Sequence, residues 1–186
     1  MTTFRTTFFI IIMTGFTSIA FAQSNSKVAQ IKIEATVNAS AESTFIYIVP
    51  VSLPHIFKRY KKFPAIVKTD EPEKWTKPGL SRTISFEDGS TAKESLLTVT
   101  PYSSFSYKVE NFTSQLRFLA KRVDGDWKFT DIGNGQTKIE WTYKVVPRNF
   151  IARGVIKAFL IKDIRHMLEN ALIILKDDLD SKKNCL

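Results

Sequence analysis

The stretch "QTKIEWTYKVVPRNFIARGVIKAFLIKDIRHMLENALIILKDDLDS" runs from Gln136 to Ser181 and changes period near its middle. Ile139, Trp141, Tyr143 and Val145 alternate with Lys138, Glu140, Thr142 and Lys144, the period-two pattern of a strand with one buried face. Pro147 stops that strand, and Asn149 is a suitable helix cap. Beyond it Ile156, Leu160, Ile164, Met167, Leu168, Ala171, Ile174 and Leu175 recur at helical steps, with Lys162, Arg165, His166, Glu169, Lys176 and Asp177 on the opposite face. A helix of this length reaches roughly 45 Å at about 1.5 Å per residue. The stretch therefore predicts a long C-terminal helix lying across a sheet.

The rest of the chain supplies the sheet. "KVAQIKIEATVNA" from Lys27 alternates as a first strand, Ser40 is placed to cap a short helix over "AESTFIYIV", and a second short helix is expected around "LPHIFKRY". A loop through Pro64 and Pro72 follows. The strands "SFSYKVENF", "LRFLAKRV" and "WKFTDI" come next, punctuated by the turn signals "TPYSS", "DGD" and "GNGQ". The predicted order is one strand, two short helices, an antiparallel meander and the long helix, an α+β arrangement.

Residues 78–96, "PGLSRTISFEDGSTAKESL", place two charges among inward-facing positions. A three-residue loop Asp88–Ser90, with Gly89 in the left-handed conformation, puts Arg82, Ile84 and Phe86 on one face with Ala92, Glu94 and Leu96. In that register Arg82 lies opposite Leu96 and diagonal to Glu94, and Asn111 of the next strand lies opposite Glu94. Buried charges must be paired. The pair is then either structural or a polar anchor for a ligand in an apolar pocket, and Glu94 is a weak catalytic candidate as a general acid or base. Phe105, Tyr107, Trp141 and Tyr143 share the inner face, either as core filling or as the lining of a cavity.

With 186 residues, 44% hydrophobic, 7 Gly and 7 Pro, the chain suits one domain with a real core. Its first 22 residues read as a signal peptide: Arg5, a short apolar run, and the small-x-small site Ala20–Ala22. Removing them leaves 26 basic and 18 acidic residues, a net charge of +8. The single Cys185 excludes an internal disulfide, and with only His55 and His166 no metal cluster or cofactor site is expected. No phosphate loop, dinucleotide fingerprint or nucleophile elbow is present. Lys58, Arg59, Lys61 and Lys62 interleave with Phe57, Tyr60 and Phe63, a pattern that suits an anionic headgroup or membrane surface as well as a plain solvated face. Nucleic acid is not an expected partner, because no recognition motif accompanies the charge.

The element order, together with "PG…R…DG…E" from Pro78 to Glu94 and "GNGQTKIEWTYKVVP" from Gly133, resembles the START-like (SRPBCC) superfamily and its polyketide cyclase/dehydrase-like ligand-binding branch. The resemblance implies a helix-grip fold: a curved antiparallel sheet of about six or seven strands wrapped around a long C-terminal helix, with two short helices after the first strand. It spans residues 23–186 as a single domain. It implies a hydrophobic small molecule or lipid held between sheet and helix, with Ile156, Leu160 and Ile164 facing Arg82, Ile84, Phe86, Glu94, Leu96, Phe105, Tyr107, Asn111, Trp141 and Tyr143. The expectation is an exported, periplasmic, monomeric carrier. The alternatives are a cyclase- or dehydratase-like enzyme, or an envelope interaction protein whose cavity is filled.

Overall fold

A computed structural model describes residues 28–70 and 75–183; the expected signal peptide and Cys185 lie outside the described residues. The chain opens with β1 (Ala29–Val37), then α1 (Ala41–Ile48) and α2 (Leu53–Ile56). Six strands follow: β2 (Ile66–Asp70), β3 (Ser81–Phe86), β4 (Thr91–Thr100), β5 (Ser104–Glu110), β6 (Ala120–Gly133) and β7 (Gln136–Pro147), with α3 (Leu116–Leu119) inserted before β6. The C-terminal helix runs as α4 (Phe150–Val155), a π-helical turn (Ile156–Leu160) and α5 (Ile161–Lys183). The strands form one antiparallel sheet in the order β1-β7-β6-β5-β4-β3-β2. The chain thus leaves β1 at one edge, crosses through α1 and α2 to β2 at the other, and meanders back to close on β1.

Local chemistry sets the boundaries. Ser40 Oγ accepts the Ser43 N–H at 3.2 Å, and Asn149 Oδ1 accepts the Ala152 N–H at 2.8 Å, each supplying a helix start with a partner for an orphan donor. Gly133 pairs with Gln136 across Asn134 and Gly135, whose φ values of 55° and 68° are what a two-residue hairpin needs.

Four expectations are corrected here. "LRFLAKRV" splits into the short helix α3 and the start of β6, and "DGD" at 124–126 is no turn, because β6 passes straight through it. Ile66–Asp70, expected as loop, is an edge strand paired with β3. The loop of the β3–β4 hairpin is Glu87–Gly89, closed by Gly89 N–H to Phe86 O at 3.0 Å and by Asp88 Oδ1 accepting the Ser90 N–H at 2.9 Å. This moves the register by two, so Arg82 sits directly opposite Glu94.

The long helix buries Ala152, Ile156, Leu160, Ile164 and Leu168, a strict four-residue stripe that drifts about 40° per step around an ideal α-helix. The π-helical turn, with its wider i→i+5 ring, absorbs the surplus and keeps the stripe on the core. Asp178 near the helix end accepts the Tyr47 hydroxyl at 2.6 Å and lies 2.7 Å from His55 Nε2, which ties α1 and α2 to α5. Along β1, Arg165 Nη1 donates to Lys32 O at 3.1 Å, Lys176 Nζ donates to Thr36 O at 2.9 Å, and Asp180 Oδ1 accepts the Asn38 N–H at 2.8 Å.

Leu168 is fully buried beneath the helix. Leu168→Ala is expected to cost about 2–5 kcal/mol in urea unfolding, from lost transfer energy and the cavity left behind. Ile173→Ala, at an exposed position of the same helix, should stay within about 0.5 kcal/mol of the parent.

Candidate ligand-binding site

The inner face of the sheet is a slab of aromatic rings placed in register by strand pairing. Phe105, Trp127 and Trp141 are direct cross-strand neighbours on β5, β6 and β7. Their rings stack, with centroids 5.7 Å apart for Phe105–Trp127 and 4.2 Å for Trp127–Trp141. Phe57, just after α2, meets Trp141 edge-on at 6.0 Å, and Phe45 of α1 meets Phe129 edge-on at 5.8 Å. These offset-stacked and edge-to-face geometries are the preferred ones for aromatic pairs.

In the next row Tyr107 and Tyr143 flank Gly125. A Cβ on Gly125 would lie 2.1 Å from Tyr107 Cζ. Glycine is therefore required there, not for its own conformation but because the Tyr107 ring lies across β6 in the space a side chain would take. So placed, the Tyr107 hydroxyl accepts the Trp141 Nε1–H at 3.2 Å.

Beyond this row the slab ends at the charge pair. Arg82 Nε donates to Glu94 Oε2 at 2.6 Å, with the two side chains only 2% and 6% exposed. The Arg82 guanidinium also lies 4.3 Å from the centroid of the Trp75 ring. Direct pairing plus a cation–π contact compensates much of the desolvation that makes a buried arginine rare. Burial, together with neighbouring Glu94, holds the phenols of Tyr107 and Tyr143 well above their ordinary range. Both stay protonated at neutral pH and can serve as hydrogen-bond donors, not bases.

A hollow opens where α1 and α2 meet this floor. It is walled by Ile48, Val49, Val51, Leu53, Ile56, Phe57 and Trp75 and floored by Arg82, Glu94, Phe105, Tyr107, Trp127 and Trp141. Its volume is about 30 Å³, the space of about one water molecule and far below the roughly 300–1,000 Å³ of a pocket for a drug-sized ligand. Among the described residues no group of His, Cys, Asp or Glu is arranged to hold a metal ion.

Of the residues singled out by sequence, Arg82, Glu94, Phe105, Tyr107 and Trp141 come together at the hollow. Ile84, Leu96, Ile156, Leu160 and Ile164 are buried in the surrounding core without lining it, and Phe86 and Tyr143 are half-buried. The hollow lies under α1–α2 rather than under the long helix. Asn111 is a correction: it is exposed, with φ at +57°, just past the end of β5. The β4–β5 loop is one residue shorter than expected and a bulge at Leu97 slips the register again, so Val109 opposes Glu94. Trp127 was missed, although its alternation with Lys128 and Phe129 marks it as inward. Trp75 and the α1–α2 residues carry no periodic signal.

The basic segment is engaged locally. Lys58 Nζ donates to Pro54 O at 2.8 Å, Arg59 pairs with Glu87 at 2.7 Å, Lys61 pairs with Asp163 at 2.7 Å, and Lys62 Nζ donates to Phe159 O at 3.3 Å.

Two measurements follow from this geometry. Arg82→Ala should cost about 3–5 kcal/mol by leaving Glu94 buried without its partner, whereas Arg82→Met combined with Glu94→Leu should recover most of that loss; denaturant unfolding of both variants checks it. The raised phenols of Tyr47, Tyr107 and Tyr143 set an alkaline limit. Their folded pKa lies above the unfolded value near 10, so the stabilisation is complete below about pH 10 and is lost as pH rises toward the folded pKa. An ultraviolet titration should therefore show fewer than the chain's five tyrosines ionising before it unfolds.

No protein-family model matches the chain, and no curated protein matches it by sequence. Solved structures do match by shape. Ara h 8.0201 superposes with a TM-score of 0.63 at 16% identity, over 83% of this chain and 99% of that one. The major latex-like protein of Panax ginseng gives 0.61 at 14% identity, over 82% and 97%. A Thalictrum flavum norcoclaurine synthase point mutant, in complex with a transition-state analogue, gives 0.61 at 12% identity, over 84% and 96%. At such identities the likeness speaks for architecture alone, and with the strand order and the long helix it shows that the chain has the helix-grip fold.

Proposed function

We propose that the protein is an exported binding protein for a compact apolar molecule, held in the hollow beneath α1 and α2 and oriented by the Arg82–Glu94 pair. The observation that carries this reading is the pair itself: two charges more than nine-tenths buried, at the border of an otherwise aromatic floor. Ligand sites commonly combine apolar walls with a few convergent polar groups. The fold is one in which hydrophobic ligands are commonly bound, and one similar structure holds a transition-state analogue.

The 30 Å³ volume sets a condition on this reading. A ligand larger than water enters only if lining side chains move, and the Phe57–Trp141 edge contact is the one to open, because Phe57 follows a helix of only four residues. The same small volume favours a second reading, an interaction protein whose cavity is permanently filled by its own rings. An acid–base enzyme is less well supported, since Glu94 is engaged by Arg82 at 2.6 Å and the nearby phenols hold their protons.

Native mass spectrometry of the chain from Gln23, prepared by export, followed by solvent extraction, separates these readings. A stoichiometric apolar adduct, lost in Arg82→Met/Glu94→Leu while the fold persists, is the expected result. A clean apo mass that persists after incubation with envelope lipid extracts would transfer the function to the filled-cavity reading.

A further inference from the structure

We infer a second functional surface, at the junction of α3, α4 and the π-helical turn, that docks the protein on an anionic phospholipid bilayer. Its first mark is apolar exposure. Among the described residues the four most exposed large hydrophobic side chains all lie here: Phe150 at 76%, Phe159 at 69%, Ile151 at 64% and Phe118 at 58%. Single exposed apolar residues are ordinary, but three exposed phenylalanines and an isoleucine on three connected elements are not. The elements are held together, for α3 packs on α4 and Arg148 N–H donates to Leu119 O at 2.9 Å. α4 continues directly into the turn that carries Phe159.

The second mark is charge. Residues 111–123 and 141–162 contain eight basic residues and no acidic one. Two of the eight are spent across the sheet, Arg122 on Asp124 and Lys144 on Asp126. The other six, Arg117, Lys121, Arg148, Arg153, Lys157 and Lys162, form no ion pair among the described residues. Arg117 lies over the Phe118 ring at 4.6 Å, so cation and apolar surface are presented together.

Exposed rings ringed by uncompensated cations match a bilayer interface, where rings enter the acyl boundary and cations meet anionic headgroups. An acidic protein partner would leave the chain unbound to both kinds of vesicle used in the test below. The surface is separate from the hollow under α1 and α2, and the basic segment after α2 meets it at one edge, where Lys62 Nζ donates to Phe159 O at 3.3 Å and Lys61 pairs with Asp163.

The test is flotation of the chain from Gln23, which carries the whole described core, with vesicles of phosphatidylcholine alone and of phosphatidylcholine mixed with phosphatidylglycerol. Binding is expected only on the mixed vesicles and should weaken as salt is raised. Phe150→Ser with Phe159→Ser should lower partitioning about tenfold or more, and Lys157→Glu with Lys162→Glu by about tenfold or more. All four positions are exposed, so circular dichroism should be unchanged; Phe118→Ser is an independent variant on a different element. No binding to the mixed vesicles, equal binding to both, or undiminished binding by the Phe variants would overturn the inference.

Discussion

A single helix cannot cover a seven-stranded sheet. Strands about 4.8 Å apart give a sheet roughly 29 Å across, whereas a helix with its side chains is only about 10–12 Å wide. The long helix here lies closest to β1, and something else must keep water off the remaining concave face. The chain solves this with reach: Phe105, Tyr107, Trp127, Phe129 and Trp141 project from the central strands, and the short α1 and α2 close over them. The hollow and the buried Arg82–Glu94 pair lie at the border of that aromatic cover, beneath α1 and α2.

The same constraint explains the role of Gly125. Rings large enough to fill the gap need room to lie down, and one missing side chain in β6 provides it for Tyr107. That placement brings the phenol to Trp141 and sets the shape of the floor. The shape of the floor therefore depends on a residue that contributes no side chain of its own.

How much of this could be read from the sequence depends on whether the signal was local. The change of period across Pro147, the caps at Ser40 and Asn149, and the Gly133–Gln136 hairpin are written in neighbouring residues, and all appear in the structure. The inward faces were likewise legible: Phe105, Tyr107 and Trp141 from alternation, Arg82 and Glu94 from alternation together with the hairpin loop between them. Gly125 was misread as a turn because a glycine's reason for being in a strand lies on the adjacent strand. The Arg82–Glu94 register turned on whether the hairpin loop closes at Gly89 or Ser90, a difference of one hydrogen bond. The walls from α1, α2 and Trp75 reach the site only through tertiary folding, and no periodicity announces them.

An open sheet has two edges, and β1 is the longer of the two edge strands. The helix cations Arg165 and Lys176 already occupy the carbonyls of Lys32 and Thr36, and Asp180 takes the N–H of Asn38. A strand from another molecule would find those backbone groups engaged and would have to displace three side chains anchored on a packed helix. The long helix is thus also a seal against edge-to-edge polymerisation of β1.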